Sequence, residues 1–279
     1  MRSEVKKTYY FHADANSLGG FIEKPFQKLV PSQATTSLSA VGGHDSKRTE
    51  AFNFEEILSC SSTYTRVSGQ QAANGGSAAT VITSVVEGLN ILEVVTADRL
   101  VAQVSVEQPV QGGFPLISFT GSRFEGLKIG GCDPKLVLNS SLLACGTGAG
   151  ASRERLTYPL FQETGRQQAD KLIKVVKADE DQDATRWLIE RYGWMAAQRA
   201  PGSDGFVLCS LVESVGQAIP ATSFGQVVDI PDFGRIFLGE ILATPSSVRL
   251  TMIRAELGCS VSGSADVASS GGIGHMVPP

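Results

Sequence analysis

Thr80-Val81-Ile82-Thr83-Ser84-Val85-Val86-Glu87, with Leu89-Asn90-Ile91 after it and Leu100-Val101-Ala102-Gln103-Val104-Ser105-Val106 beyond, decides the fold class. Both runs are rich in β-branched residues, and Leu100, Ala102, Val104 and Val106 fall on one side of a two-residue period. That pattern marks a strand with one buried face. Upstream, Ser62-Thr63-Tyr64-Thr65-Arg66-Val67 alternates in the same way. Gln70 to Ala79 is small and polar and reads as a loop.

An internal echo sits in this region. Ser84-Val85-Val86-Glu87-Gly88-Leu89-Asn90-Ile91 shares the frame S-x-[V/F]-E-G-L-x-I with Ser122-Arg123-Phe124-Glu125-Gly126-Leu127-Lys128-Ile129, 38 residues on. Two copies fall short of a solenoid array. They predict two equivalent strands, each bent at its glycine, Gly88 and Gly126. The carboxylates Glu87 and Glu125 would then hold matched hydrogen-bonding or exposed places, a simpler expectation than a catalytic pair.

Outward from there, strands continue to both ends. Thr8-Tyr9-Tyr10-Phe11 opens the chain as a strand, and Asn16-Ser17-Leu18-Gly19-Gly20 reads as a turn. Gly205-Phe206-Val207-Leu208-Cys209-Ser210-Leu211-Val212 suits a buried strand. Further strands follow at 225–230, 235–239 and 247–253, and a last one near 259–267 leads into a Ser- and Gly-rich tail expected to be loose. Only 158–199 breaks the pattern. Ala169, Leu172, Ile173 and Val176 lie at i, i+3, i+4 and i+7, and a second helix carries Trp187, Leu188, Arg191 and Met195. The expected fold is therefore mainly β (α+β): an antiparallel β-sandwich or rolled sheet with a helical hairpin inserted near 160–199, and a β-solenoid as the alternative. Residues 1–279 read as a single domain, with 146–151 as the place where two lobes would divide.

Composition narrows the function classes. The chain has 279 residues, 42% hydrophobic, 19% charged, with 30 glycines and a net charge of −4. A core of useful size can form. No basic excess is available to neutralise a phosphate backbone, so nucleic acid is not an expected partner. No apolar stretch of about 18 residues predicts a membrane span. No signal peptide is read at the N-terminus, which gives a cytoplasmic expectation, with export by a non-classical route or within an assembly as the alternative. The five cysteines form no CxxC pair and no zinc spacing, and read as small buried hydrophobes.

Chemistry-bearing residues are sparse. Cys145-Gly146-Thr147-Gly148-Ala149-Gly150-Ala151 has the shape of a dinucleotide loop, with Gly146, Gly148 and Gly150 as the phosphate-approach positions. Pro159 and the lack of a following acidic strand end instead favour a linker. His12 lies near Asp14 and His44 beside Asp45. Were the fold to bring these together, they could serve as acid and base or bind a metal. No G-x-S-x-G elbow, H-E-x-x-H pair or Walker loop occurs. No cofactor and no metal are expected.

The run Val85 to Ile91 with Thr96-Ala97-Asp98, Phe124 to Gly130, Ile230-Pro231-Asp232-Phe233-Gly234-Arg235-Ile236-Phe237-Leu238 and Arg249-Leu250-Thr251-Met252-Ile253 resembles the bacterial secreted β proteins of the choice-of-anchor P type. The resemblance implies surface display, with no catalytic residues to carry over. Three functions follow as expectations. The first is a non-catalytic structural or binding protein, as a subunit of an assembly or with protein or homo-oligomer partners. The second is a hydrolase using His12, Asp14, His44 and Asp45. The third is a small-ligand or nucleotide binder using the 146–151 loop.

Overall fold

The two-residue alternation of Ser62 to Val67 and of 80–106 has a direct structural outcome. Val67, Ile82, Val86, Leu100, Ala102 and Val104 are completely or almost completely buried, while Tyr64, Arg66 and Val81 face outwards. Burying each large aliphatic side chain contributes about 1.5–3 kcal/mol before chain entropy is counted. The computed structural model describes residues 8–72, 77–109, 115–143, 157–177, 182–197, 205–216 and 219–277. The 146–151 loop, and the lobe division expected there, lie outside the described residues.

Two nine-stranded antiparallel sheets face one another as a sandwich. The first is a meander. Gly43–Thr49 pairs with Ser62–Gln71, which pairs with Ala78–Ile91, then Val95–Gln108, and then the short edge strands Leu116–Ser118, Arg123–Glu125 and Lys128–Ile129. The second sheet runs from Thr222–Phe224 through Val227–Ile230, Gly234–Thr244, Ser247–Gly258, Ser262–Gly272 and Ala13–Lys24 to Lys28–Gln33, with Val207–Ser210 also on Gly234–Thr244. Ser84 Oγ donates to Asn16 O at 3.1 Å and Ser270 Oγ donates to Ala102 O at 3.2 Å, tying the layers across the core. The solenoid alternative does not hold. Each neighbour in the meander is antiparallel, whereas stacked coils need parallel neighbours.

Both ends of the chain depart from expectation. Asn16 to Gly20 is not a turn but the middle of strand Ala13–Lys24. The glycines there permit close packing: a Cβ on Gly20 would sit 2.2 Å from Ser264 O. The Ser- and Gly-rich C-terminal segment is not loose either. Ser262–Gly272 is an interior strand between Ser247–Gly258 and Ala13–Lys24, and His275–Val277 pairs with Thr8–Tyr10. Its small residues fit because Ala268, Ser269 and Ser270 are buried between neighbours.

The echo occupies equivalent places on the two sides of Val95–Gln108. Glu87 and Glu125 both lie opposite Arg99, Val86 and Phe124 both opposite Leu100, and Ile91 and Ile129 both opposite Val95. Gly88 and Gly126 have φ of +60° and +59°. Gly88 breaks the alternation without shifting register, so that Glu87 and Gly88 are both on the outer side while Val86 and Leu89 are buried. The structure also reveals a third copy that the sequence frame hid, Glu50-Ala51-Phe52-Asn53-Phe54, 37 residues before Glu87. All three copies run into tight turns at one end of the sheet. Glu55 and Glu56, Leu92 and Glu93, and Gly130 and Gly131 all have positive φ. Asn53 Oδ1 accepts from Glu56 N at 3.1 Å and Asn90 Oδ1 accepts from Glu93 N at 2.7 Å, which supports two non-glycine turns in a costly conformation. Leu92 N–H donates to Ile57 O and Gly130 N–H to Val94 O, so the turns themselves form a ladder.

The hairpin consists of helices Tyr158–Lys177 and Gln182–Ala197. Ala169, Leu172, Ile173, Val176, Leu188 and Met195 are buried, as their spacing predicts. It packs on the outer side of the second sheet, against Val207–Ser210 and Gly234–Thr244. Among the described residues no helix is long and apolar enough to cross a membrane.

Candidate functional site

The hairpin covers the second sheet, and the outer face of the meander takes no part in that packing. The alternation that buries Val67, Ile82 and Val104 lifts Arg66, Val81, Thr83, Gln103 and Ser105 to the outside. Strand register then sorts these residues into cross-strand rows. One row is His44, Ser68, Val81, Ser105 and Ser118. The next is Ser46, Arg66, Thr83 and Gln103, and after it comes Arg48, Tyr64, Val85, Val101 and Arg123, in which the two valines are covered. A depression of about 680 Å³ opens over the first two rows, with His44, Arg66, Ser68 and Gln70 on its walls and Val41 and Val81 as its apolar part.

Arginines on this face are mostly spoken for. Arg48 Nε is 3.2 Å from Glu50 and Arg99 Nε is 3.5 Å from Glu87, while Arg123 pairs with Glu125. Glu87 also accepts from Ser62 Oγ at 2.7 Å. The matched carboxylates of the echo therefore act as partners for neighbouring arginines. Arg66 has no carboxylate partner among the described residues, and the depression that it lines contains no Asp or Glu.

The expected acid–base residues fall in two separate places. His12 stacks on His275, with ring centroids 5.8 Å apart and planes 15° from parallel, and His275 stacks in turn on Tyr10 at 6.0 Å. Asp14 is held by Arg249 Nη2 at 2.8 and 3.1 Å. This group borders a depression of about 590 Å³ that also includes Ser37 and Ser246. His44 lines the other depression, and Asp45 alternates to the opposite side, where its carboxylate accepts from Ser46 N at 2.8 Å. The two His–Asp pairs share no pocket, and neither pair hydrogen-bonds internally. His275 joins His12 through the pairing of Tyr10 with His275, a contact between chain ends that no local pattern announces. Among the described residues no group of three His, Cys, Asp or Glu side chains is placed to hold a metal ion.

A third cluster lies under the hairpin. Glu240 accepts from Arg191 at 2.7 Å and from Arg254 at 2.8 Å, and Arg254 also pairs with Glu256. Arg254 and Arg191 stand 3.8 and 4.6 Å from the Phe237 ring centroid, and Arg235 3.8 Å from that of Trp187. Burial opposes the charge on Glu240, but the hydrogen bond and charge of Arg254, with Arg191 behind them, hold its carboxyl below the usual range. Burial pushes the neighbouring Tyr192 phenol up to about 12. With its carboxylate doubly engaged and its arginines stacked on rings, the cluster anchors the hairpin and offers no free acid or base.

Residues 9–244 match the family described as a domain of unknown function (DUF8256). The chain belongs to that family. The DUF8256 match takes in the whole meander, the helical hairpin and the strands Val207–Ser210 and Gly234–Thr244 on which the hairpin packs, and it ends with the second of these strands. The two strands after it, Ser247–Gly258 and Ser262–Gly272, lie beyond the matched span although both are interior to the second sheet. Neither a curated protein nor a solved structure matches the chain.

Proposed function

We propose that the protein is a non-catalytic binding module that seats its ligand on the outer face of the meander. The observation that carries this reading is the depression over His44, Arg66, Ser68 and Val81, where polar side chains from neighbouring strands converge on a face that the hairpin leaves open. Concave sites with a few oriented polar groups are where ligands bind. Catalysis draws less support, because Asp14 is engaged by Arg249 and His44 lies in a different depression from His12. Strand-by-strand assembly also draws less support. The edge strand Lys28–Gln33 carries Pro31, and the edge strand Gly43–Thr49 carries Asp45, Lys47 and Arg48, features that blunt pairing with another chain.

Arrays of polysaccharides, peptides and small metabolites, probed with the full chain and two variants, test the reading. Val81→Asp and Val81→Arg place opposite charges on the floor of the depression. A ligand seated there responds to at least one of them and is indifferent to Val175→Asp on the exposed side of the hairpin. Binding that ignores both Val81 variants, or an array with no bound member, overturns the proposal.

A further inference from the structure

We infer that the ligand of this face is an anionic polysaccharide, held by a carboxylate or sulfate on Arg66. The inference rests on the binding-module reading and narrows it. Among the described residues four arginines project from the outer face, and three of them pair with Glu50, Glu87 and Glu125. Arg66 alone of the four stands without such a partner among the described residues, between Ser46 and Thr83 in its row. It sits at the wall of a depression whose lining carries His44 as a further basic side chain and no acid. A guanidinium left free in that setting presents its planar fork to an incoming anion, and the fork matches a carboxylate or sulfate in two-point geometry.

The rest of the face selects the kind of anion. Around Arg66 lie hydroxyls and amides, namely Ser68, Gln70, Thr83, Gln103 and Ser105, which suit the many hydroxyls of a sugar chain. Tyr64, two residues from Arg66 on the same side, offers a half-exposed ring beside them. Arg66 and Gln103 are separated by two interstrand spacings, roughly 10 Å, about the length of two pyranose rings. For an acidic peptide the lining offers only the small apolar side chains of Val41, Ala79 and Val81.

Affinity electrophoresis and titration calorimetry with polygalacturonate, alginate, heparin and neutral dextran provide the test. The uronate polymers and the sulfated one separate carboxylate from sulfate recognition, and dextran and polyglutamate serve as controls. Wild type should bind at least one acidic polysaccharide, weakly or not at all dextran, and less tightly as salt rises. Arg66→Ala should lose roughly tenfold or more in affinity, with Arg66→Lys between the two. Circular dichroism and thermal unfolding of both variants show whether they fold as wild type does. Tight dextran binding that the Val81 variants abolish would sink the anion inference and keep the binding module. Polyglutamate bound in preference to every polysaccharide through Arg66 would overturn it in favour of an acidic peptide. Acidic-polysaccharide binding that ignores both Arg66 and Val81 would remove both readings.

Discussion

Gln168 holds both backbone groups of Ser210: its Nε2 donates to Ser210 O at 2.9 Å, and Ser210 N donates to its Oε1 at 2.8 Å. A single helical side chain thus occupies the place of a neighbouring strand along Val207–Ser210. All four atoms are buried, so the pair is one anchor of the hairpin on the sheet. Replacing Gln168 by Ala should orphan a donor and an acceptor, at about 1–3 kcal/mol for each. Chemical denaturation of Gln168→Ala measures the loss. A midpoint equal to wild type would mean that the hairpin does not depend on this clasp.

Glu240 between Arg191 and Arg254 is the second anchor. Glu240→Ala leaves two arginines facing each other in a largely buried space, and should destabilise by about 3–5 kcal/mol. The pH dependence has a definite sign. The folded-state pKa is depressed, so the stability that Glu240 contributes is present in full above the ordinary carboxylate pKa and is lost as pH falls through the lower folded value. Unfolding free energies measured from pH 7 down to pH 3, for wild type and Glu240→Gln, should converge at the acid end.

Asp266 carries the opposite sign. It lies opposite Arg254 in the sheet, yet burial raises its pKa more than Arg254 lowers it. Its contribution is favourable while the group is protonated and is lost as pH rises through the raised folded value. Asp266→Asn should therefore unfold at a higher temperature than wild type at neutral pH, with the difference shrinking in acid. A lower midpoint at pH 7 would show that the attraction of Arg254 outweighs the cost of burial.

Gly88 and Gly126 should resist substitution in parallel, because both are left-handed and flank the same strand. Ala at either position meets backbone strain of about 1–2 kcal/mol. At Gly88 the new Cβ would also lie 2.9 Å from the Ser61 Cβ, and at Gly126 2.0 Å from an Asp98 carboxylate oxygen. Asn, which tolerates this conformation better, should cost less than Ala on the backbone term. Thermal melts of the four single variants give the comparison, and an Ala variant as stable as wild type would remove the conformational argument.

Thiol accessibility offers a separate check. Burial pushes the Cys209 thiol, and to a smaller degree Cys60, above its ordinary value, whereas Cys132 and Cys259 are half-buried. Mass-resolved labelling of native protein with a maleimide should reach Cys132 and Cys259 before Cys60, with Cys209 last. Early labelling of Cys209 would indicate that Val207–Ser210 opens to solvent more readily than its packing implies.

Much of the fold was legible because its signals are local. Alternation in 62–67 and 100–106, the helical spacing from Ala169 to Val176, and the E-G-L frame around Gly88 and Gly126 all act over a few residues. The third echo copy escaped because Ala51 stands where the other copies have glycine, and Phe52 where they have Leu. The turn assigned to Asn16–Gly20 failed because glycines that serve close strand packing have the same composition as glycines that serve a turn. The binding face was hidden for a related reason. Arg66, Ser68 and Gln70 read as the solvent side of any strand, and nothing nearby in the chain says which arginines have acids beside them.

By itself, then, the sequence determined that this chain makes strands, a helical pair and no stretch apolar enough for a helical span, since each depends on side-chain periodicity and length. Tertiary structure alone decided that Tyr10 pairs with His275, that His12 meets His275 rather than His44, and that Arg66 is left without a carboxylate among the described residues. Those outcomes depend on strand order and register, which bring together residues as far apart as Tyr10 and His275. Pairing at that separation is chosen by the packing of the whole core and leaves no mark on its neighbours in sequence.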